Sequence, residues 1–343
     1  MRVAVIGATG AVGREMTRTL EERGFPVDEL VPLASARTAG TRVSFRDREV
    51  TVRELSLDAL RGCHLALLSA GATVSRSICR DAAAAGVVCV DNSSAWRMAP
   101  DVPLVVPEVN AHALAGHPGI VANPNCTAIT VMMAIGPLHR AMGLRRMMLA
   151  SYQSVSGSGM KGIRELADQV GKMAGDVESL VAPDHDALPV GEIYGRTIAF
   201  NVLALQGGMD EEDWSGEERK LLNESRKILE LPNLEVQATV VRVPVVTGHS
   251  VAIAATFQRA VTPDEARAVL RRMPGVRVVD DPHRGEYPTP LDAAGIDDVL
   301  VGRIRRAAGR DDGLLLFAAG DNLRKGAALN AVQIAETLFA TRR

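Results

Sequence analysis

The chain has 343 residues, a length that suits two domains better than one small core. It is 47% hydrophobic and 23% charged with a formal net charge of −2, which gives no reason to expect a nucleic-acid partner or a membrane surface. The sequence has no apolar run long enough to span a bilayer, and we expect no signal peptide before the first strand.

Cysteine and histidine spacing predicts neither a metal site nor a disulfide framework. The chain has four cysteines, with no C-x-x-C pair and no paired histidine spacing. They are Cys63, Cys79, Cys89 and Cys126. This usage is typical of reduced thiols, so we expect a cytoplasmic protein with no metal cofactor.

The first predicted elements are a strand, a glycine-rich turn and a helix in direct succession. Residues 3–6 form an apolar run typical of a buried parallel strand, and the amphipathic helix that follows the turn ends near Gly24. In this context glycines let the backbone approach a pyrophosphate, and the helix N-terminus adds positive potential. We expect cofactor contacts at Gly7, Thr9, Gly10, Ala11, Val12 and Gly13.

The end of the second predicted strand, 29–34, bears on the choice between NAD and NADP. An NAD site usually has an acidic residue at this point, which binds the ribose hydroxyls. This chain has Ser35, Arg37 and Thr38 instead, and their two hydroxyls and one guanidinium suit a 2′-phosphate. We therefore predict NADP as the cofactor; the alternative is a solvated surface turn.

Further strands continue the predicted parallel sheet. Residues 65–68 form a buried strand, followed by Ser69 and Gly71, small residues where a bound dinucleotide would run. Strands at 104–110 and 120–122 are expected to complete the sheet.

Arg97 is a candidate anion-binding residue. It lies in a polar loop after the predicted core strand 87–90, and its guanidinium can bind an oxyanion in a bidentate way. The alternative interpretation is a lone surface arginine.

Cys126 is the candidate nucleophile. The segment 121–131 indicates a strand end, a stiff Asn-Pro-Asn loop and a helix that begins at Cys126. A cysteine in this position faces unpaired N–H groups and the positive end of the helix dipole, which favour thiolate over thiol. The alternative is a free cysteine packed as a small hydrophobic residue.

The second half of the chain has longer, alternating strands and isolated helices. A strand at 147–155 ends in the small polar residues Ser156 and Gly157. A later helix begins at Ser215, a suitable N-cap, and carries Glu217 and Lys220 at positions i and i+3. From sequence alone, a solvated intrahelical ion pair is the simplest interpretation of those two residues.

Arg242 and His249 are predicted to lie near each other. Strands 235–245 and 251–257 are interpreted as an antiparallel pair, which would place both residues near its adjoining ends. A histidine at a strand end is more often structural than catalytic. A thiolate enzyme, however, needs a partner that titrates near neutral pH, and histidine is the natural one.

Together these motifs resemble the bacterial aspartate-β-semialdehyde dehydrogenases, almost from end to end. The motifs that carry the resemblance lie at 7–13, 35–38, 123–127, 152–157, 242–250 and 322–327. The glycine motif occurs in many nucleotide-binding proteins, whereas the cysteine, glutamine and histidine motifs in this order are much more specific. The segments 175–195 and 203–214 depart from the family pattern.

The resemblance implies two domains and a homodimer or homotetramer. The fold would be a Rossmann-like NADP-binding domain at 1–126, completed by 322–343, and an α+β catalytic and dimerisation domain at 127–321. The latter would be like the C-terminal domain of glyceraldehyde-3-phosphate dehydrogenase.

The resemblance also implies roles for individual residues. The nucleophile would be Cys126, the acid/base His249, and the residue that orients the substrate Gln153. The substrate carboxylate would bind Arg242 and the substrate amine would lie near Glu217. The phosphate set would be Lys220, Arg97 and Asn125, and further cofactor contacts would be Ser156, Gly157 and Asn322.

The implied reaction interconverts aspartate-β-semialdehyde and β-aspartyl phosphate, with NADP and inorganic phosphate, through a thioester on Cys126. It would serve lysine, threonine and methionine biosynthesis. One alternative is N-acetylglutamyl-phosphate reductase, whose acetylated substrate would leave Glu217 without a role. Another is a non-catalytic NADP-binding sensor, which has no need for Cys126, Gln153 and His249 together.

Overall fold

The computed structural model describes residues 1–204 and 207–340. Its strands are β1 (Arg2–Ile6), β2 (Glu29–Ala34), β3 (Arg42–Phe45), β4 (Arg48–Thr51), β5 (Arg53–Glu54), β6 (Leu65–Leu68), β7 (Val88–Asp91), β8 (Ile120–Ala122), β9 (Leu144–Gln153), β10 (Glu235–Arg242), β11 (His249–Phe257), β12 (Val276–Val278), β13 (Val299–Arg306) and β14 (Gly313–Gly320). Its α-helices are α1 (Ala11–Glu22), α2 (Leu57–Leu60), α3 (Ala72–Ala84), α4 (Pro107–Asn110), α5 (Cys126–Met142), α6 (Gly159–Met173), α7 (Gly216–Ile228), α8 (Pro263–Leu270), α9 (Pro290–Ala293) and α10 (Leu329–Ala340).

The first sheet is parallel throughout the described residues, with the strand order β5-β2-β1-β6-β7-β8. Side chains of a strand alternate between its two faces, and both faces of β1 are buried. Val3 and Val5 pack with α1 and α10, whereas Ala4 and Ile6 pack in the core that includes α3 and α5. Helices therefore cover both faces of the sheet, as a parallel sheet requires.

The second sheet is mixed and follows in the second half of the chain, with the order β10-β9-β11-β14-β13-β12. Its inner face packs on α5 through residues such as Met147 and Leu149. Its outer face leaves Met148 53% and Tyr152 39% exposed. The expected fold class, a Rossmann-like parallel sheet with a second α+β part, is confirmed.

The end of the chain returns to the first sheet. A π-helical turn at Arg324–Ala328 leads into α10, which packs in the same core as Val3 and Val5. Residues 341–343 of the predicted C-terminal segment lie outside the described residues. No helix in the described part of the chain is long and apolar enough to cross a membrane.

The predicted strand at 104–110 is wrong. Within it only Leu104 pairs, in an isolated parallel bridge with Ala122, and Pro107–Asn110 forms helix α4. Pro107 occupies the first helical position, where its missing N–H costs no hydrogen bond. The apolar run alone did not distinguish a paired strand from an extended segment that precedes a helix.

The predicted pairing of the strands that carry Arg242 and His249 is also wrong. Strand β9 lies between β10 and β11, parallel to the first and antiparallel to the second. The two side chains nevertheless lie close together, since both are near Gly157. A Cβ added at Gly157 would lie 2.9 Å from Arg242 Nη1 and 3.3 Å from His249 Cε1.

Candidate active site

Cys126 is the first residue of α5, directly after the loop that leaves β8. Asn125 caps the helix, since its Oδ1 accepts hydrogen bonds from the N–H groups of Thr127 at 3.0 Å and Ala128 at 3.3 Å. The cap fixes the first turn and leaves the half-buried Cys126 side chain at the helix N-terminus. The predicted strand, loop and helix are therefore confirmed.

The predicted thiolate preference of Cys126 needs correction. Burial raises the pKa of its thiol above the ordinary value, and the carboxylate of Glu217 raises it further. The guanidinium groups of Arg97 and Arg242 oppose this increase but do not reverse it. The helix N-terminus favours the thiolate, but the loss of solvation and the facing carboxylate, which depend on the folded structure, outweigh it.

His249 is fully buried at the start of β11, and its two ring nitrogens have different surroundings. The backbone N–H of Ser154 donates to Nδ1 at 3.0 Å, so the neutral ring carries its proton on Nε2. Nε2 has no hydrogen-bond partner among the described residues. Burial, with a contribution from Arg242, lowers the pKa of His249 well below its ordinary value.

Arg97 is not a surface residue, since only 7% of it is exposed. Its Nε donates to the carbonyl of Asn123 at 3.0 Å, and its Nη2 to the carbonyl of Asn92 at 3.0 Å. Its Nη1 donates to the carboxylate of Glu224 at 2.9 Å. The guanidinium is therefore held in one orientation beside the loop that carries Cys126.

Glu217 and Lys220 form the predicted ion pair on α7, but the pair belongs to the site and is not a solvated surface feature. Asn125 Nδ2 also donates to Glu217, at 2.9 Å. Burial alone would raise the pKa of the Glu217 carboxyl, but the Lys220 charge and these hydrogen bonds outweigh it and lower the pKa. Glu217 is thus a carboxylate in the same cavity as Cys126.

Arg242 and Gln153 complete the polar lining from the ends of β10 and β9. Arg242 is 7% exposed, and its Nη1 donates to the carbonyl of Ser154. Gln153 is 2% exposed. Asn322 reaches the same region, where its Oδ1 accepts from the hydroxyls of Ser154 and Ser156 at 3.0 and 3.1 Å.

These side chains share one cavity of about 250 Å³. It brings together residues predicted for catalysis, substrate binding and cofactor binding from both halves of the chain. The predicted residues that line it are Cys126, His249, Gln153, Arg242, Glu217, Lys220, Arg97, Asn125, Val12, Ser156, Gly157 and Asn322.

The remaining predicted cofactor residues lie along the first sheet, outside that lining. Gly7 lies against Ser69, because a Cβ at Gly7 would be 2.9 Å from the Ser69 carbonyl oxygen. Gly10 is the N-cap residue of α1, and no side chain caps the N–H groups of that helix end. The turn with Ser35, Arg37 and Thr38 follows β2, and Ser35 and Arg37 are exposed. Gly71 precedes α3.

Glu224 and Lys227, which continue the Glu217 face of α7, were not predicted as site residues. Glu224 is 1% exposed and contacts both Arg97 and the backbone N–H of Asn125. A charged residue between Leu221 and Ile228, on the buried face of an amphipathic helix, was the available signal. Gly326 was also not predicted as a site residue. It lies against Cys126, since a Cβ added at Gly326 would be 3.0 Å from the Cys126 Cβ.

Two family models match the chain. One is described as "Semialdehyde dehydrogenase, NAD binding domain" and matches residues 2–117; the other is described as "Semialdehyde dehydrogenase, dimerisation domain" and matches residues 135–325. The aspartate-semialdehyde dehydrogenase of Streptomyces akiyoshiensis is 49% identical over 350 residues, covering 99% of each chain. That of Aquifex aeolicus is 45% identical, covering 98% of this chain and 97% of the relative.

Solved structures of similar proteins have the same fold. Aspartate semialdehyde dehydrogenase II from Vibrio cholerae, complexed with ASA, superposes with a TM-score of 0.91 at 38% identity, over 99% of this chain and 98% of that one. A probable aspartate-semialdehyde dehydrogenase from Pseudomonas aeruginosa superposes with a TM-score of 0.90 at 33% identity, over 100% and 99% of the two chains.

Proposed function

Because the chain belongs to the aspartate-semialdehyde dehydrogenase family, we propose that it interconverts L-aspartate-β-semialdehyde and β-aspartyl phosphate with NADP and inorganic phosphate. The observation that carries this proposal is the single cavity that joins Cys126, His249 and Arg242 to Arg97 and the nucleotide-binding turn. The reaction would supply lysine, threonine and methionine biosynthesis in the cytoplasm.

The residues along the first sheet fit a dinucleotide with a 2′-phosphate. The α1 N-terminus has no side-chain cap, and its free N–H groups suit the pyrophosphate. The hydroxyls of Ser35 and Thr38 and the guanidinium of Arg37 suit the extra phosphate of NADP. Val12 and Asn322 line the catalytic cavity, and they connect the nucleotide turn to Cys126.

In the oxidative direction the thiolate of Cys126 attacks the aldehyde carbon, and the carbonyl oxygen becomes an oxyanion. Burial and the Glu217 carboxylate disfavour the thiolate before substrate binds. The ammonium group of the substrate, bound at Glu217, offsets that negative charge. Substrate binding therefore favours the reactive form of Cys126.

Arg242 and Gln153 orient the substrate. The Arg242 guanidinium, held by the Ser154 carbonyl, suits the substrate carboxylate. Gln153, at the end of β9, offers both a donor and an acceptor to the reacting group. With the amine at Glu217, these contacts fix three points of the substrate, which sets the aldehyde carbon beside the sulfur.

His249 lines the same cavity as Cys126, and the proton on its Nε2 is available to hydrogen-bond the oxyanion. The resemblance implies an acid/base role for His249. Nε2 can take up a hydroxyl proton only in the other neutral tautomer, in which the ring proton is on Nδ1. NADP held along the first sheet would supply the hydride acceptor, and loss of a hydride from the carbon that bears the oxyanion would leave a thioester on Cys126.

Phosphate then attacks the thioester carbonyl. A carbon–oxygen bond forms, the carbon–sulfur bond breaks, and Cys126 leaves as thiolate. We assign phosphate binding to Arg97, Lys220 and Asn125, which lie on three different elements around Cys126. Two cations near a helix N-terminus suit a doubly charged anion.

We also propose a homodimer or homotetramer. The outer face of the second sheet exposes Met148 and Tyr152, with Phe317 half-buried beside the Tyr152 ring. An apolar face of this kind is typical of a protein contact, and the family model over this region is described as a dimerisation domain. Light scattering after size exclusion tests the assembly state.

The decisive test is the initial rate of NADPH production from aspartate-β-semialdehyde, NADP and phosphate. The rate should depend on phosphate, should be abolished by iodoacetamide, and should fall at least about 10⁴-fold in Cys126→Ala. Folding of that variant is checked by NADPH binding, which should be unchanged. A phosphate-independent steady-state turnover beyond the first equivalent of NADPH, or an active Cys126→Ala, would contradict the proposal. Activity only with N-acetylglutamyl phosphate would move the assignment to that substrate.

A further inference from the structure

Helix α7 carries two charged residues beyond the two that were assigned to the substrate, and one of them is buried while the other is half-buried. Glu217 and Lys220 are followed at the same face by Glu224 and Lys227. Glu224 is 1% exposed, and the reaction described above gives it no role. A buried carboxylate is costly unless it is paired, so its partners indicate its purpose.

Glu224 binds two groups that come from outside its own helix. One oxygen accepts from Arg97 Nη1 at 2.9 Å, and the other accepts from the backbone N–H of Asn125 at 2.6 Å. Arg97 belongs to the loop after β7, and Asn125 directly precedes Cys126. A single carboxylate therefore fixes the arginine and the nucleophile loop relative to each other.

Lys227 holds the backbone of the same Arg97 loop. Its Nζ donates to the carbonyls of Arg97, Ala99 and Val102, each at 2.8 Å. These three contacts use all three N–H groups of the ammonium. The side chain and the main chain of Arg97 are thus both held by α7.

These contacts determine what Arg97 can offer to a ligand. A guanidinium has five N–H groups, and the contacts with Asn123, Asn92 and Glu224 use one from each nitrogen. One N–H on Nη1 and one on Nη2 are left over. Because Arg97 lines the cavity beside Cys126, these N–H groups are available to an oxyanion there, and the contact with Glu224 helps to hold the guanidinium in its orientation.

We propose that Glu224 is a positioning residue for the phosphate step: it orients the Arg97 guanidinium toward phosphate without contacting the substrate. This inference rests on the proposed function, because that function assigns Arg97 to phosphate. It separates the two halves of the reaction. Formation of the thioester needs no phosphate and should be insensitive to loss of the Glu224–Arg97 contact as long as the Asn125 contact is kept, whereas attack of phosphate on the thioester should depend on the Arg97 contact.

The test is Glu224→Gln, assayed for each half-reaction. The amide oxygen can still accept the Asn125 N–H, but the amide NH₂ then faces Arg97 Nη1, so the arginine loses its acceptor. Without phosphate, the NADPH burst should keep its amplitude and its rate within about twofold. In steady state, KM for phosphate should rise at least about tenfold, and KM for the semialdehyde should change less than about threefold.

Glu218→Gln is the matched control. Glu218 is on the same helix, where its carboxylate accepts from the N–H groups of Ser215 at 2.8 Å and Val240 at 3.2 Å, and it does not line the cavity. The control should lower the melting temperature, because it weakens the helix cap, and leave KM for phosphate within about twofold of wild type. Glu224→Asp, which withdraws the carboxylate by one methylene, is the second variant in case Glu224→Gln does not fold.

The outcomes are distinguishable. If the wild type produces no phosphate-dependent NADPH, the proposed function fails and the inference fails with it. If the wild type is active and a folded Glu224 variant keeps KM for phosphate within about twofold, the inference alone is overturned. Equal loss of the burst and of the phosphate step would indicate a general structural role and would also overturn it.

Discussion

At the scale of single residues, Cys126, the proposed nucleophile, lies in an environment that favours the thiol. Burial and the Glu217 carboxylate raise the pKa of Cys126, and the two arginines only partly compensate. Glu217 remains ionised because its own pKa is lowered by Lys220 and Asn125. The reactivity of Cys126 is therefore coupled to the charge at Glu217, which is also the proposed site of the substrate amine.

We expect Glu217→Gln to accelerate alkylation of Cys126. Removal of the facing negative charge lowers the pKa of the thiol, so more thiolate is present at a given pH. Iodoacetamide labelling at about pH 7.5 should be several-fold faster in the variant, and in both proteins the rate should rise with pH up to at least about pH 9. Mass spectrometry of the Cys126 peptide measures the rate.

Glu218→Gln serves as the control, since Glu218 is the next residue along α7 and does not line the cavity. Its labelling rate should match that of the wild type. An alkylation rate in the wild type that is already maximal near pH 6.5 would show that the thiol has a lowered pKa and would contradict the coupling to Glu217.

At the scale of elements, the turn between β1 and α1 depends on the close approach of two backbone segments. A Cβ at Gly13 would lie 2.1 Å from the Gly7 carbonyl oxygen and 2.9 Å from the Ala8 Cα. These are backbone atoms, which cannot rotate away as a side chain can. We expect Gly13→Ala to displace the turn, to weaken NADPH binding at least about tenfold, and to lower the melting temperature.

Gly171→Ala is the matched control, because Gly171 is also inside a helix and nothing lies within 4 Å of its added Cβ. It should stabilise the protein by about 0.5–1 kcal/mol and leave NADPH binding unchanged. Fluorescence titration with NADPH and differential scanning calorimetry give both quantities. NADPH binding by Gly13→Ala within about threefold of wild type would rule out the steric argument.

Elements that carry their own local signal could be predicted from the sequence. Strands β2 and β6 have the predicted bounds, since short buried apolar runs ended by small or turn-forming residues leave little choice. Helix α7 begins after Ser215 as predicted, with a capping box that Glu218 completes. The strand predicted at 104–110 was wrong because strand pairing depends on the neighbouring segment. The residues of 104–110 do not contain that information.

The site divides in the same way. Cys126, Gln153, His249 and Arg242 were predicted because they belong to specific local motifs, and the cavity brings them together. Glu224 and Lys227 were missed because their partners are more than 90 residues away along the chain. The pKa of Cys126 was predicted in the wrong direction for a related reason, since burial is a property of the folded molecule.

At the scale of the whole molecule, Arg324 connects the two halves. It is 7% exposed and lies in the turn that leads into α10. It pairs with Glu15 and Glu22 of α1, both at 2.8 Å, and with Asp297 from the loop before β13, at 2.6 Å. Helix α1, the proposed site of the cofactor pyrophosphate, is thereby joined to the second half of the chain through one guanidinium.

We expect Arg324→Met to destabilise the protein by about 2–3 kcal/mol, less than the about 3–5 kcal/mol typical of a fully buried pair, because Glu22 and Asp297 are partly exposed. Arg18→Met is the control: Arg18 pairs with the same two glutamates, at 2.8 and 3.3 Å, but its side chain is 53% exposed. It should cost less than about 1 kcal/mol. Urea unfolding at one fixed protein concentration measures both, because assembly of subunits would otherwise shift the midpoint. Equal losses in the two variants would mean that α1 is joined to the second half by apolar packing, and that the position of the cofactor relative to Cys126 does not depend on Arg324.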